Sequence, residues 1–251
     1  MSLVSFLKAL TNVTSIEDLW DLHTRKMATF GFDRLLYGLT NFRTINSLGD
    51  PEDSIILTNH PKSYTDVYMG KGLYKDAPVI DWLLENDGAV SWEIIAKMFL
   101  SGEITDKQKK VFAFNQEQKV TAGYSIGFKS ISPRTKGAIS LTAREGLAQD
   151  QVDVIWDKHG DEILLINNVV HLKVMSLPYH SPKRALTKRQ REALHWVGDG
   201  KTMQDIAVIM GLTSATIEKH LRLARQTLSV ETTAQAVLKA SFQNQMFIVE
   251  A

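Results

Sequence analysis

Hydroxyl, amide and cationic side chains near the C-terminus recur at spacings suited to gripping a phosphodiester backbone and reading base edges. Thr187, Thr202 and Thr213 each precede an apolar stripe of helical period, so each is an expected N-cap whose oxygen takes an orphan backbone amide. Gln190 follows Thr187 at the spacing of a capping box. Ala193, Leu194 and Val197 mark the buried stripe of the first helix, which Gly198 and Gly200 end. Ile206, Ala207 and Met210 mark the second, and Gly211 tolerates the left-handed backbone its turn needs. Ile217 and Leu221 face inward on the third, which leaves Thr216, Lys219, Arg222 and Arg225 on exposed faces. A helix-turn-helix of this form places the start of its third helix in the major groove of duplex DNA, with Lys201, Thr202 and nearby amides against phosphates. Thr213 and Ser214 join that contact set. Lys219 or Arg222 can donate to guanine, and Glu218 can accept from cytosine N4. The plainer alternative is a three-helix bundle with surface lysines, in which Glu218 is merely solvated.

Such a unit has to be carried and controlled by the rest of the chain. With 251 residues, 44% of them hydrophobic, there is length for two domains and apolar surface for their cores. The net charge of +1 is unevenly spread. From Pro182 onward ten Lys and Arg stand against six Asp and Glu, leaving 19 against 22 before it. A basic module behind a mildly acidic one suits contact with phosphates. The absence of cysteine excludes disulfides and thiolate metal sites and fits a reducing compartment. No apolar run approaches a bilayer span and no export signal follows Met1, so a cytoplasmic protein without membrane contact is expected.

The elements before the reading unit suggest a sheet covered by helices. Ser15, with Asp18 three residues on, begins a helix through Leu19 and Leu22 that stops at Gly31. Residues 34–40 and 54–59 are β-favouring runs separated by Gly49-Asp50-Pro51, and 122–129 and 136–142 repeat the pattern around Ser132-Pro133-Arg134. Helices are expected over about 62–86, 104–119 and 146–174. The result is an α/β N-terminal domain, an α/β/α sandwich with an antiparallel sheet, followed by an all-α helix-turn-helix domain. The boundaries read as 1–175 for the sensor domain, 176–184 for a linker carrying Pro178 and Pro182, and 185–251 for the DNA-binding domain. No Gly-rich phosphate loop, nucleophile elbow or paired carboxylates stand at useful spacing, so no catalytic residues are expected. The seven histidines are not paired at ligand spacing, so no metal site and no cofactor are expected either.

The C-terminal motif resembles the LuxR-type transcription factors over roughly 185–238. Leu186-Thr187, Arg189, Leu194, Gly200-Lys201-Thr202, Ile206-Ala207, Thr216-Ile217, His220-Leu221 and Ala236-Val237 stand where that family's motif expects them. Gln190 departs from a usual glutamate, and Thr233 from a nearby basic residue. Upstream, Thr58-Asn59-His60-Pro61, Tyr64, Tyr68, Pro78, Trp92 and Ala122-Gly123 follow the spacing of the autoinducer-binding domain of the quorum-sensing members.

The resemblance implies an acyl-homoserine lactone signal held between the sheet and a layer of helices, a homodimer, and a pseudo-palindromic double-stranded DNA site. In the family a tryptophan donates to the lactone carbonyl and an aspartate accepts from the ligand amide. This chain has Tyr64 and Ala77 at those positions. Tyr64 still donates, Ala77 accepts nothing, and Asp76 sits one residue early. Ser140, in the second hairpin, is the candidate for the acyl carbonyl. Leu36, Gly38, Val79, Trp82, Leu83, Trp92, Phe99 and Ile126 are candidates for the acyl chamber, though each is also an ordinary core residue. His60 and Tyr68 complete the candidate ligand-binding set. Two functions follow. One is a regulator controlled by an acyl-homoserine lactone or an atypical relative. The other is a ligand-independent member, or an antagonist that forms heterodimers with other LuxR-type proteins. An enzyme with a helical partner-binding end is the reading least supported.

Overall fold

The computed structural model describes residues 2–44, 47–179 and 182–246. The chain divides into two units, 1–49 with 56–175, and 50–55 with 176–251. A short piece of the early sequence, Asp50–Ile55, therefore counts with the second unit. His180 and Ser181 of the expected linker, and Phe247-Ile248-Val249 of the tail, lie outside the described residues.

The first unit is built on a five-stranded sheet. Its strands are β1 (Phe32–Thr40), β2 (Ile55–Thr58), β3 (Gly88–Ser91), β4 (Gly123–Phe128) and β5 (Lys136–Ala143), in the order β2-β1-β5-β4-β3. β1 with β5, β5 with β4, and β4 with β3 are antiparallel. The two expected runs 34–40 and 54–59 are neighbours, and 122–129 and 136–142 form the expected hairpin. Register sorts the side chains by face, because successive residues of a strand point to opposite sides. Leu36 lies opposite Ser140, and Ser140 opposite Ser125, so these three share one face. Tyr37, Ile139 and Ile126 form the next row and share the other. On that second face the Tyr37 hydroxyl meets His171 Nδ1 at 2.8 Å, and Phe128 stacks on the His171 ring at 4.2 Å.

His171 belongs to α7 (Gln149–Ser176), the long helix expected over 146–174. α1 (Leu3–Asn12) and α2 (Ile16–Ala28) precede the sheet. Ser15 caps α2 by accepting from the Asp18 amide, as its spacing indicates. The helix expected over 62–86 is divided into α3 (Lys62–Tyr68), a 3-10 turn over Leu73–Asp76 and α4 (Ile80–Glu85). Gly72 takes φ +76°, a left-handed conformation that ends helical continuity, and Pro78 has no amide to restore it. α5 (Glu93–Ser101) was not anticipated, while α6 (Asp106–Glu117) matches the expected 104–119 and carries a Thr105/Gln108 capping box.

In the second unit, α8 (Lys188–Gly198), α9 (Met203–Met210) and α10 (Ser214–Leu228) start at Thr187, Thr202 and Thr213, each accepting from the amide three residues on. Gly211 closes α9 at φ +65°, the left-handed turn expected of it. α11 (Thr233–Phe242) completes the bundle. Leu194, Ile206, Ile217, Leu221 and Leu228 form its buried centre together with Ala236 and Ala240 from α11.

Candidate functional site

The first unit holds a cavity of about 40 Å³ on the Leu36 face of the sheet. Of the ligand candidates, the structure brings Leu36, His60, Tyr64, Tyr68, Val79, Trp92 and Ser140 together on its wall. Tyr64 is the centre of an aromatic stack, with His60 at 4.4 Å, Tyr68 at 5.0 Å and Phe114 at 5.5 Å between ring centroids. Its hydroxyl donates to Asn115 Oδ1 at 3.1 Å. Burial pushes both the Tyr64 and Tyr68 phenols well above their ordinary range, so both stay neutral donors.

Across the floor runs a chain of neutral hydrogen bonds. The Trp92 indole N–H donates to Ser125 Oγ at 2.9 Å, and Ser125 Oγ lies 3.0 Å from Ser140 Oγ. Gly123 makes that approach possible: a Cβ there would collide with the Leu141 carbonyl oxygen and come within 3.1 Å of the Trp92 ring. His60 follows β2, is 8% exposed, and has Nε2 3.5 Å from Thr142 Oγ1. Burial, assisted by the positive charge of Arg34, holds its imidazole at about 4 and therefore neutral near pH 7.

The other candidates stand off the wall. Asp76 ends the 3-10 turn, its side chain 42% exposed and 3.9 Å from Lys107 Nζ, while Ala77 beside it is buried and does line the cavity. Ile126 is turned to the α7 side by the strand register. Gly38 would place a Cβ 3.6 Å from Ile56, Leu83 is buried on α4, and Trp82 is half-buried. Phe99 lies partly exposed, edge-on to Phe112 at 4.9 Å. Sequence reasoning missed Ile95, Phe112, Asn115, Val120, Thr121 and Thr142 on the wall. α6 supplies Phe112 and Asn115, and an asparagine on an otherwise polar helix carries no signal of facing inward.

The second unit presents the other candidate site. Lys201, Thr202, Thr213, Ser214, Glu218, Lys219 and Arg222 are exposed, and Thr216 and Arg225 are half-buried. Thr202 and Thr213 are engaged as caps: Thr202 Oγ1 lies 2.7 Å from Asp205, and Thr213 Oγ1 2.9 Å from Thr216 Oγ1. Lys219 and Arg222 project from α10, where Arg222 reaches Gln226 only at 3.5 Å. Arg225 is held on both sides, donating to Thr233 Oγ1 at 2.8 Å and to Glu218 Oε1 at 3.2 Å. Glu218 thus has an internal partner, and an arginine from α10 supplies positive charge beside Thr233.

Comparison with known proteins finds two families along the chain. Residues 15–174 match the family described as autoinducer binding domain, and residues 184–240 the one described as bacterial regulatory proteins, luxR family. The transcriptional activator ExpR of Dickeya dadantii is 24% identical over 85% of this chain and 84% of its own length. The transcriptional activator LuxR of Aliivibrio fischeri is 26% identical over 75% and 73%. In fold, the chain is similar to crystalline SdiA of Escherichia coli, with a TM-score of 0.56 at 16% identity over 98% of both chains. It is also similar to CepR2 of Burkholderia cenocepacia, described as N-acylhomoserine lactone dependent, with a TM-score of 0.53 at 17% identity over 69% of this chain and 94% of that one. SdiA has further been solved with octanoyl-rac-glycerol, and that structure scores 0.53 at 14% identity over 96% and 93%.

Proposed function

The chain belongs to the LuxR-type quorum-sensing transcription regulators, and from that premise we propose that an uncharged acyl signal in the sheet-side cavity controls reading of DNA by α10. The observation that carries the proposal is the wall itself. Trp92, Ser125, Ser140, Tyr64 and Asn115 form neutral hydrogen bonds within an aromatic lining, which suits a ligand with a polar head and an apolar tail. The signal is an acyl-homoserine lactone or an atypical relative. CepR2 is described as dependent on such a lactone and SdiA was solved with an acyl glycerol, so both chemistries belong in the test.

The working form is a homodimer on a pseudo-palindromic site in the cytoplasm. Support comes from α7, which exposes Val154, Leu165 and Leu172, spaced so that they fall on one helical stripe available to a second copy. No described helix is long and apolar enough to cross a membrane. On the DNA, Lys201, Thr202, Thr213 and Ser214 meet phosphates while Thr216, Lys219 and Arg222 face the bases.

A second reading has an observation of its own. Ligand pockets hold on the order of 300–1,000 Å³, whereas this cavity has about 40 Å³ because the Tyr64 stack fills the space. A core completed by its own side chains suits a ligand-independent regulator, or one that forms inactive heterodimers with relatives. Mass spectrometry of small molecules released on denaturing the full chain, purified from cells given an organic extract of its native culture, decides between them. A released acyl compound that also sharpens operator binding supports the first reading. Operator binding by protein that releases nothing supports the second.

A further inference from the structure

The acidic segment Asp50–Ile55 lies among basic side chains of the helical unit with which it is grouped. Asp50 starts a 3-10 turn over Pro51–Asp53 by accepting from the Glu52 amide at 3.0 Å, which sets the spacing of three carboxylates. Each meets a cation: Lys183 donates to Glu52 at 2.8 Å, Arg184 to Asp50 at 2.7 Å, and Lys239 lies 2.6 Å from Asp53. The side chains of Asp53, Arg184 and Lys239 are all more than nine-tenths buried. The same two cations hold the end of α10. Arg184 donates to the Thr227 carbonyl at 3.4 Å and Lys239 to that of Leu228, the last two residues of the helix. Those carbonyls have no partner within a helix that stops there, and they carry the negative end of its dipole. One approach stays open: Arg184 Nε and Asp53 Oδ1 are buried, make no hydrogen bond among the described residues and stand 3.6 Å apart, so a small shift of the segment would join them. Ile55 is also the first residue of β2, and four residues separate it from His60 on the cavity wall. Beyond it the strand is fixed to β1, with the Thr58 hydroxyl donating to the Leu35 carbonyl at 2.8 Å and the Asn59 side chain accepting from the Leu35 amide at 2.6 Å. A displacement of that wall is therefore passed to Asp53 along a short extended strand.

We propose that Arg184 and Lys239 form a binding site for an acidic peptide, that its ligand is this chain's own Asp50–Ile55, and that the seated segment is a latch through which the sensor unit sets the DNA affinity of α10. This rests on the DNA-reading function above, and not on which ligand, if any, the cavity takes. With the segment seated, both cations are neutralised and held on the α10 carbonyls. With it withdrawn, two buried cations lose their counter-ions, a loss large enough to reorganise the end of the helix. Operator binding and seating of the segment are then linked, and the linkage is reciprocal: DNA that favours the latched α10 also steadies the segment and the strand it continues into.

The test uses the full chain and an operator that it selects from random duplexes. In wild-type protein, saturating operator should slow hydrogen exchange of the amides over 56–60, which belong to the first unit and have no assigned contact with DNA. A staple that only stabilises the helical unit would leave them unchanged, and this readout is independent of how any variant folds. Asp53→Asn should weaken operator binding about tenfold, and Asp53→Glu, which keeps the anion, should recover much of the loss. A bystander acidic patch gives the opposite sign, because removing negative charge near DNA tightens binding, most of all at low salt. Exchange over 56–60 that ignores operator, Asp53→Asn binding as well as or better than wild type, or a loss that Asp53→Glu does not reduce each overturns the latch while leaving DNA reading intact. If the chain selects no duplex, the DNA-reading function fails and the latch with it.

Discussion

Within the second unit, the Asp53 carboxylate lies 2.6 Å from the Lys239 ammonium, with the two side chains only 7% and 9% exposed. Lys239 also donates to the Leu228 carbonyl at 2.7 Å, at the end of α10. Arg184 adds a second cation, pairing with Asp50 at 2.7 Å and standing 3.6 Å from the other Asp53 oxygen. The buried charges thus sit against the C-terminal end of α10, where its dipole favours cations.

Removing one member of a buried pair leaves the other charge uncompensated, at about 3–5 kcal/mol. Asp53→Asn should lower the unfolding free energy of the second unit by that order, measured by urea denaturation followed by tryptophan fluorescence. The double variant Asp53→Leu with Lys239→Met should lose much less. An unchanged midpoint for Asp53→Asn means the pair contributes nothing.

Base-reading and phosphate-gripping residues should separate by salt. Arg222→Ala should weaken operator binding by about 1–3 kcal/mol and relax the sequence preference. Lys201→Ala should weaken all sequences alike and reduce the salt slope by about one unit. Fluorescence anisotropy on operator and scrambled duplexes at several salt concentrations checks both, and a normal Arg222→Ala titration would exclude it from the groove.

Ser229 ends α10 at φ +51°, a left-handed conformation that a side chain disfavours. Ser229→Gly should therefore stabilise the second unit by about 0.5–1 kcal/mol. A thermal melt that falls instead would show that the serine side chain supplies more than its backbone strain removes.

His23, His60 and His171 are each held at about 4 against an ordinary 6.5, in every case chiefly by burial. The charged or titratable groups beside them are Arg34 and Tyr64 at His60 and Tyr37 at His171, while Asn167 and the Trp20 ring lie beside His23. Below pH 6.5 the unfolded chain takes up these protons before the folded one does, so stability is complete above 6.5 and is lost as pH falls toward 4. The loss reaches on the order of 3 kcal/mol per histidine. Denaturation midpoints of the full chain should fall steadily across that window, and a flat profile would mean these imidazoles are charged or exposed.

The reading unit was legible because its signals are local. Thr187, Thr202, Thr213 and Gly211 act within a turn of where they stand, and the structure finds a cap or a left-handed residue at each. The cavity was legible in part, at Tyr64, Tyr68 and Trp92 by their spacing and at Leu36 and Ser140 along the strands. Leu36 and Ser140 share a face by register, but the same alternation sends Ile126 to the other side, which a list of apolar residues does not reveal. Phe112 and Asn115 enter from a mostly polar helix, and β3 is too short for alternation to show. Nor does anything in the sequence of Asp50–Ile55 announce that it belongs with residues more than a hundred positions later.

That membership bears on any attempt to take the molecule apart. A stand-alone C-terminal fragment cut at the prolines would retain Arg184 and Lys239 but forfeit the anions that neutralise them. Weak operator affinity in such a truncated piece would then reflect a damaged fragment rather than loss of a contribution from the sensor unit. The intact polypeptide, or a fragment supplied in trans with a peptide spanning Asp50–Ile55, is the fair reference for its DNA affinity.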